Sequence, residues 1–400
     1  MATVLCTWEL GSGLGHWSTL LLPIEAALRM GHRVLVAARH LSHATEVLRD
    51  LPVTYLQAPF KQDVQPADHS AFQCFGHLIR RQSFSDSAEL AMYLRAWRAL
   101  FDLAKPDLVL FKHSPTALIA SRSYRFKKVV IGNGFSIPPQ HFSDSTPFAP
   151  FVTTPRTPEV MHALRADDAA LLGVINTALT QLGSAGFSSL AEVYAQADER
   201  IFLTWPELDH FGTRPGVHYL GSPRPQRRDA PVWPPGGGAK VFAYVSMVPA
   251  MEQLLRDLAE ARVCTLMYVR DLPQPLKDRY ASDQMRFVGQ PVDLSEVAAR
   301  AAWVINHANH ASAAAFMVAG VPQLLIPRHQ EQLFLALRLR SQGCALMAFQ
   351  DQPGFATEIS AMGTNPLLRQ HAQRLQQQCA ARLAQDPALA IHQRLAALLQ

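Results

Sequence analysis

Residues 303–332 read WVINHANHASAAAFMVAGVPQLLIPRHQEQ. Two short apolar runs, 303–307 and 323–327, flank a small-residue stretch that begins at Ser312 and stops at Gly320. Ser is a favoured helix N-cap and Gly a favoured stop. An apolar run of four to eight residues bounded by turn residues reads as a buried strand. The segment is therefore a strand–helix–strand unit with parallel strands, and a further helix is expected at 330–342.

Outward from this unit the same alternation continues. On its amino side come strands at 240–245, 263–270 and 285–288, with helices near 250–261 and 294–301. The first half of the chain repeats the style. A strand at 1–8 leads through a glycine-rich turn into a helix at 18–30, which contains Pro23 and ends at Gly31. Strands follow at 33–38, 107–111, 128–131 and 200–204, and 158–197 is mostly helical. Residues 222–239 are dense in Pro, Gly and Arg and continue neither a helix nor a central strand. At 400 residues the chain exceeds what one core usually supports. The expected architecture is α/β, with two doubly wound, Rossmann-like domains facing each other across a cleft. The expected boundaries are 1–222, a linker at 223–239, 240–383, and a C-terminal helix at 384–400.

Composition excludes several classes. With 48% hydrophobic and 17% charged residues the chain is an ordinary globular protein. The net charge of +5 comes from scattered pairs such as Arg80-Arg81 and Lys127-Lys128, which read as a solvated face and not a nucleic-acid footprint. Weak attraction to anionic lipid or to a phosphorylated ligand stays open. Five widely spaced cysteines without a C-x-x-C pair read as reduced, buried thiols. No leader pattern and no apolar run of membrane-spanning length is visible, so a cytoplasmic location without a membrane span is expected. The oligomeric state stays open.

Two loops carry the chemistry. Gly11-Ser12-Gly13-Leu14-Gly15-His16 follows the first strand. Glycines there allow a tight turn and close approach of a ligand. His16 at the helix start would be kept neutral by the helix dipole, which suits a general base, although a turn-filling role is the plainer alternative. The spacing is G-x-G-x-G, not the dinucleotide G-x-G-x-x-G, and Arg39-His40 stand where a ribose-binding carboxylate is expected. In the second loop, with Ser312 as the cap, the small residues Ala311, Ala313, Ala314 and Ala315 leave the first-turn amides accessible, and these with the helix dipole form an anion site suited to a diphosphate. His307 is expected to add a hydrogen bond to a phosphate oxygen. Arg328, Glu331 and Gln332 follow the next strand, where a carboxylate and an amide can read sugar hydroxyls. His307 and His310 have no Cys or carboxylate at ligand spacing and no Asp-x-Asp occurs, so no metal is expected.

These residues resemble the GT-B nucleotide-sugar glycosyltransferases, in the broad group of UDP-glycosyltransferases and macrolide or sterol glycosyltransferases. Gly13–His16 with Leu28, Gly31, His32 and Val34 is similar to that family's opening strand, loop and helix. Residues 107–111, Pro206-Glu207-Leu208-Asp209 and Tyr219-Leu220-Gly221 resemble its mid-domain strand and approach to the linker. The stretch from Gln290-Pro291 through His307, Gly320-Val321-Pro322, Ile326-Pro327 and Glu331-Gln332 resembles its donor site and is the more specific part. The resemblance spans residues 1–350.

It implies inverting, metal-independent transfer from a UDP- or dTDP-linked sugar to a hydroxyl of a small acceptor, with no other cofactor. By it His16 is the base. His307, Ala311 and Ser312 hold the diphosphate, Glu331 and Gln332 the sugar, and Gln290 lies near the nucleobase. Gly13, Gly15, Ser246, Asn309, His310 and Arg328 complete the candidate donor set. The sequence departs from the family at defined points. Lys112-His113 replace the acidic residue that pairs with the base. Asn309 and Ala311 replace glycines; Asn can still adopt a left-handed turn, while Ala311 adds a methyl where backbone nears phosphate. Ser246-Met247-Val248-Pro249 replaces a Gly-Ser loop, and Pro249 removes an amide donor.

Lys112 and His113 therefore join the catalytic candidates, His113 as a substitute base. A nucleotide-binding scaffold without turnover and an NADP-dependent oxidoreductase stay open. Phe72, Phe75, Phe84, Phe135, Phe142, Phe148 and Phe151 suggest walls for an apolar acceptor, or core packing.

Overall fold

In the computed structural model the described residues are 1–11, 14–42, 44–48, 51–62, 72–82, 84–139, 146–223, 228–383 and 386–400, and at Leu14 the backbone alone is described. Within them lie two six-stranded parallel sheets. The first holds β1 (Thr3–Trp8), β2 (Arg33–Ala38), β3 (Val53–Gln57), β4 (Leu108–Lys112), β5 (Lys127–Gly132) and β6 (Glu199–Phe202), in the order β3-β2-β1-β4-β5-β6. The second holds β7 (Lys240–Ser246), β8 (Cys264–Arg270), β9 (Met285–Phe287), β10 (Trp303–Asn306), β11 (Gln323–Leu325) and β12 (Ala345–Met347), in the order β12-β11-β10-β7-β8-β9. Counted from its own first strand, each sheet has the order 3-2-1-4-5-6 of dinucleotide-binding domains. The strand order reverses between β1 and β4 and between β7 and β10. Ligands of open α/β sheets bind beyond the carboxyl ends of the strands at such points.

The helices flanking the first sheet are α1 (Leu14–Arg29), α2 (Ala44–Leu48), α3 (Phe75–Arg80), α4 (Ser87–Ala104), α5 (Pro115–Ala120), α6 (Pro158–Thr180) and α7 (Leu190–Ala195). Those of the second are α8 (Met251–Glu260), α9 (Gln274–Tyr280), α10 (Leu294–Ala298), α11 (His310–Val318), α12 (Gln330–Ser341), α13 (Ala356–Thr364) and α14 (Pro366–Leu383), and α15 (Pro387–Leu398) ends the chain. The strands are apolar without alternation because both faces are covered: Val4, Leu5 and Cys6 of β1 are wholly buried. Helix α1 buries Trp17, Leu20, Ile24 and Ala27, one face at helical spacing, and packs against Ile391 and Leu395 of α15. Each such side chain contributes about 1.5–3 kcal/mol by leaving water.

The chain forms two compact units, one of Met1–Pro206, Thr213–Pro223 and Asp386–Gln400, the other of Glu207–Gly212 and Arg224–Gln385. The C-terminal helix thus belongs with the first sheet. Residues 228–239 are not a free linker. Trp233 packs on the core beside Val292, Pro234 accepts from the Cys264 thiol, and the Gly236 amide bonds Asp283 O at 2.6 Å.

The structure also adds β3, β12 and α4, which the sequence pattern did not mark. β3 is a half-exposed edge strand of mixed polarity. All five cysteines are buried and free. Among the described residues, no helix is long and apolar enough to cross a membrane.

Candidate active site

At the first switch point the strand ends bring together Trp8, Lys112 and His113. Trp8 is the register partner of Lys112, and the Leu10 amide bonds His113 O at 3.0 Å. His16 lies in the first turn of α1, half-buried, its ring stacked on Trp8 with centroids 4.8 Å apart. The His113 ring stands edge-on to it at 6.3 Å. His16 Nδ1 has no hydrogen-bond partner among the described residues. Burial first, and the Lys112 charge next, hold His16 well below the usual histidine range. The helix dipole expected from the sequence is a lesser consideration beside these two. Lys112 is buried, with Nζ 3.4 Å from Ser136 Oγ.

His113 takes a left-handed backbone (φ 49°) and sits among Phe75 and Phe135, and burial pushes it down to about 3. Glu9, overlooked in the sequence, is buried and turns away from these bases. Its Oε2 accepts from the amides of Thr116 and Ala117, and burial pushes its carboxyl up to about 8.

Gly13 lies outside the described residues. Gly15 is exposed within α1, and its carbonyl accepts from Thr19 Oγ at 2.9 Å. Gly11 has φ +86°, and a Cβ there would run into the His16 imidazole. Gly11→Ala is therefore expected to displace that ring and to destabilise the fold by about 1–3 kcal/mol. Urea melts and the chemical shifts of His16 check this.

Of the phenylalanines read as acceptor walls or core packing, five are core, and Phe72 is half-buried. Phe75, Phe84, Phe135, Phe148 and Phe151 are all buried, and Phe75, Phe135, Phe148 and Phe151 pack ring to ring. Phe142 lies outside the described residues.

At the second switch point a polar network inside the sheet shapes the loop into α11. Asn306 Oδ1 accepts from the Ala308 amide at 2.8 Å and its Nδ2 donates to Gln323 Oε1 at 2.9 Å, while Gln323 Nε2 donates to Ala313 O. The left-handed residue is the buried Ala308 (φ 60°), not Asn309, which is extended and caps α11. This turn aims the start of α11 outward. Asn309 and Ala311 are exposed, and Ser312 is buried with its hydroxyl on Asn309 O. The amides of Ala311 and Ser312 have no acceptor among the described residues. His310 stacks on His210 at 6.3 Å.

Gln332 ties this loop to the next. Its Oε1 accepts from the Arg328 amide and its Nε2 donates to Asn309 Oδ1, both at 2.8 Å. The Gln332 amide thus braces the loops instead of reading a sugar, while the Arg328 side chain is exposed beside them and Glu331 is half-buried at the start of α12. Gln290 is exposed beyond β9.

His307 departs from its expected role. Its Nδ1 bonds Ile326 O at 2.7 Å, and its Nε2 accepts from the Ser246 amide at 2.7 Å. Both ring nitrogens are occupied and the ring is neutral, so it has no donor for a phosphate oxygen, and the Ser246 amide is equally engaged. His307 instead pins the ends of β7 and β11 together. Burial pushes its pKa down to about 4.

The sign for stability follows. Below the unfolded value near 6.5 the unfolded chain takes a proton that the folded one refuses, so stability falls with pH between 6.5 and about 4. His307 should account for about 3 kcal/mol over that interval. Melts from pH 7 to 4, with His307→Gln as the variant lacking this share, measure it. Among the described residues, no group of three metal-ligating side chains comes together.

No protein-family model matches the chain, and no curated protein does. Solved structures match along its whole length. The glycosyltransferase of kitacinnamycin matches at TM-score 0.72 and 14% identity, over 100% of this chain and 99% of that one. The calicheamicin glycosyltransferase CalG4 matches at 0.69 and 17%, over 100% and 98%. The glycosyltransferase VinC, in complex with dTDP, matches at 0.61 and 16%, over 98% and 100%. At such identities the likeness is one of fold. The chain has the two-domain α/β architecture of these glycosyltransferases, as the GT-B resemblance implies.

Proposed function

We propose that the protein is a glycosyltransferase that moves a sugar from a nucleoside diphosphate to a hydroxyl of a small acceptor, with inversion and without a metal. The observation that carries this reading is the open first turn of α11. Among the described residues its Ala311 and Ser312 amides lack acceptors, the dipole favours an anion there, and the exposed Arg328 side chain stands on the adjoining loop. A diphosphate leaving group gains its charge as the bond to the sugar breaks, and preorganised donors of this kind are usually the largest catalytic term. The dTDP bound to VinC, a protein of the same fold, supports a thymidine or uridine diphosphate as the ligand class. His16 is the proposed base for the acceptor hydroxyl. Glu331 and Gln290 are proposed to meet the sugar and the nucleobase.

A nucleotide-binding protein without turnover is the second reading. It is favoured by His16 Nδ1 having no hydrogen-bond partner among the described residues. A thermal-shift series with UDP, dTDP and their sugars, followed by assays of donor hydrolysis and transfer, separates the two. A ligand that binds only the folded chain raises its melting temperature. Binding with turnover supports the enzyme, and binding of diphosphates with no turnover of any sugar supports the scaffold. Stabilisation by NADPH and by no nucleotide sugar overturns both.

A further inference from the structure

Lys112-His113 stand where the resemblance implies an acid to pair with the base. Burial is the largest obstacle to a proton on His16, and Lys112 and His113 at the end of β4, with His40 and Arg39 after β2, add to it. The Glu9 carboxylate is bonded to the amides of Thr116 and Ala117. What lies flat against the His16 ring is Trp8, with 4.8 Å between centroids and 11° between planes.

The end of β1 fixes that indole. Trp8 is the last residue of a strand covered on both faces, and its side chain is buried. Its register neighbours are Ala38 on β2 and Lys112 on β4. Its Nε1 donates to Leu10 O at 2.8 Å, which satisfies the polar edge of the ring and sets its plane. Trp17 of α1, wholly buried, meets it edge-on at 5.5 Å, and His40 meets it edge-on at 6.0 Å. His16 is the ring that takes a face.

An aromatic face is the negative side of the ring quadrupole. A neutral imidazole stacked there gains packing and a fixed orientation. An imidazolium in the same place also gains cation–π attraction, which is strongest over tryptophan and larger where water is excluded. The contact is therefore stronger after the proton has arrived than before, and only interactions of that kind speed a chemical step. A buried carboxylate orients the imidazole and stabilises the imidazolium in a serine-protease triad.

We propose that Trp8 is the positioning residue of the base: its indole face holds the His16 imidazole flat and stabilises the imidazolium that forms when the acceptor hydroxyl gives up its proton. The inference rests on the sugar-transfer reading and deepens it. In the reaction the hydroxyl oxygen forms a bond to the anomeric carbon and its proton passes to the His16 imidazole. The bond from the anomeric carbon to the diphosphate oxygen breaks, and its electron pair leaves on the diphosphate. Trp8 is unchanged. It offsets part of what burial and the basic neighbours cost the imidazolium.

The test uses the full chain with mono-, di- and tetrafluorotryptophan placed at position 8 alone by stop-codon suppression. Fluorine drains negative charge from the indole face and leaves its shape and N–H almost as they were, so a purely structural role gives no trend. With dTDP- and UDP-glucose as donors and a panel of phenols as acceptors, kcat/KM at pH 7 should fall step by step. The total fall should be about 10-fold, between the scales of an exposed and a desolvated cation–π pair. The pKa of His16, followed by NMR on isotope-labelled histidine, should fall along the same series by about one unit. The dTDP affinity and the melting temperature should stay level.

A His16 pKa that does not move along the series, or a level kcat/KM, overturns the inference and leaves sugar transfer standing. A falling His16 pKa in a protein that transfers no sugar keeps the coupling of Trp8 to His16 and overturns the sugar-transfer reading.

Discussion

An Ala311→Asp variant is expected to lose affinity for dTDP or UDP by at least about 100-fold while melting no lower than the wild type. The two effects have opposite signs because they have different causes. Ala311 is the second residue of α11, and its methyl group is exposed, so an Asp side chain displaces nothing in the core. A carboxylate in the first turn of a helix is favourable, by about 0.3–1 kcal/mol. The same carboxylate would occupy the amides that a diphosphate needs and would face its charge. At an effective dielectric of 20, two unit charges about 4 Å apart repel by about 4 kcal/mol, more than a 100-fold loss requires. Titration calorimetry gives the affinity and a melt gives the stability. Binding within threefold of the wild type would place the diphosphate elsewhere. A drop in melting temperature would mean that the exposed helix end is not what the geometry describes.

The fold was legible where burial left its mark on composition. Strands covered on both faces, such as β1 and β10, must be mostly apolar, and the turns between them carry Gly, Pro or a cap. That is why 1–8 and 303–327 can be read unaided. β3 was not, because Val53–Gln57 is a partly exposed edge strand whose side chains alternate without a clean period. α4 was overlooked although Leu90, Leu94, Trp97 and Phe101 bury one helical face.

The site was legible in outline and not in its hydrogen bonds. The small residues around Ser312 announce an accessible helix start, although the cap is Asn309, three residues earlier than the Ser312 expected. What a ring nitrogen meets is decided by a strand far away in sequence. His307 looks like a free loop residue until Ser246, 61 residues earlier, donates to it. Asn306 and Gln323 were the missed signal. An amide inside an otherwise apolar buried strand needs partners, and these two find each other and fix the turn at Ala308. The replacement of an acid by Lys112 was plain in the sequence. Its consequence depends on where Glu9 points, which only the folded chain decides.

His16→Ala is expected to lower kcat/KM for transfer by about 10²–10⁴-fold, the usual range for a general base, and to leave dTDP affinity within twofold. The second half follows because the proposed diphosphate donors belong to α11, in the other unit. The pH profile separates His16 from an ordinary histidine. The neutral ring is the working form, and burial with Lys112 beside it holds the pKa well below 6.5. For the free enzyme, kcat/KM should therefore stay level from pH 7 through 6, where an unperturbed imidazole would already be half protonated near 6.5. Its acid limb appears only at lower pH.

A limb near 6.5 in the free enzyme, or full activity in His16→Ala, would assign the base elsewhere. His113 is a poor substitute, since burial pushes its pKa to about 3 and Phe75 and Phe135 flank its ring. A base with so low a pKa transfers protons inefficiently at pH 7. Strong loss in His16→Ala, together with an acid limb well below 6.5, is thus what a buried histidine beside Lys112 should give as the base.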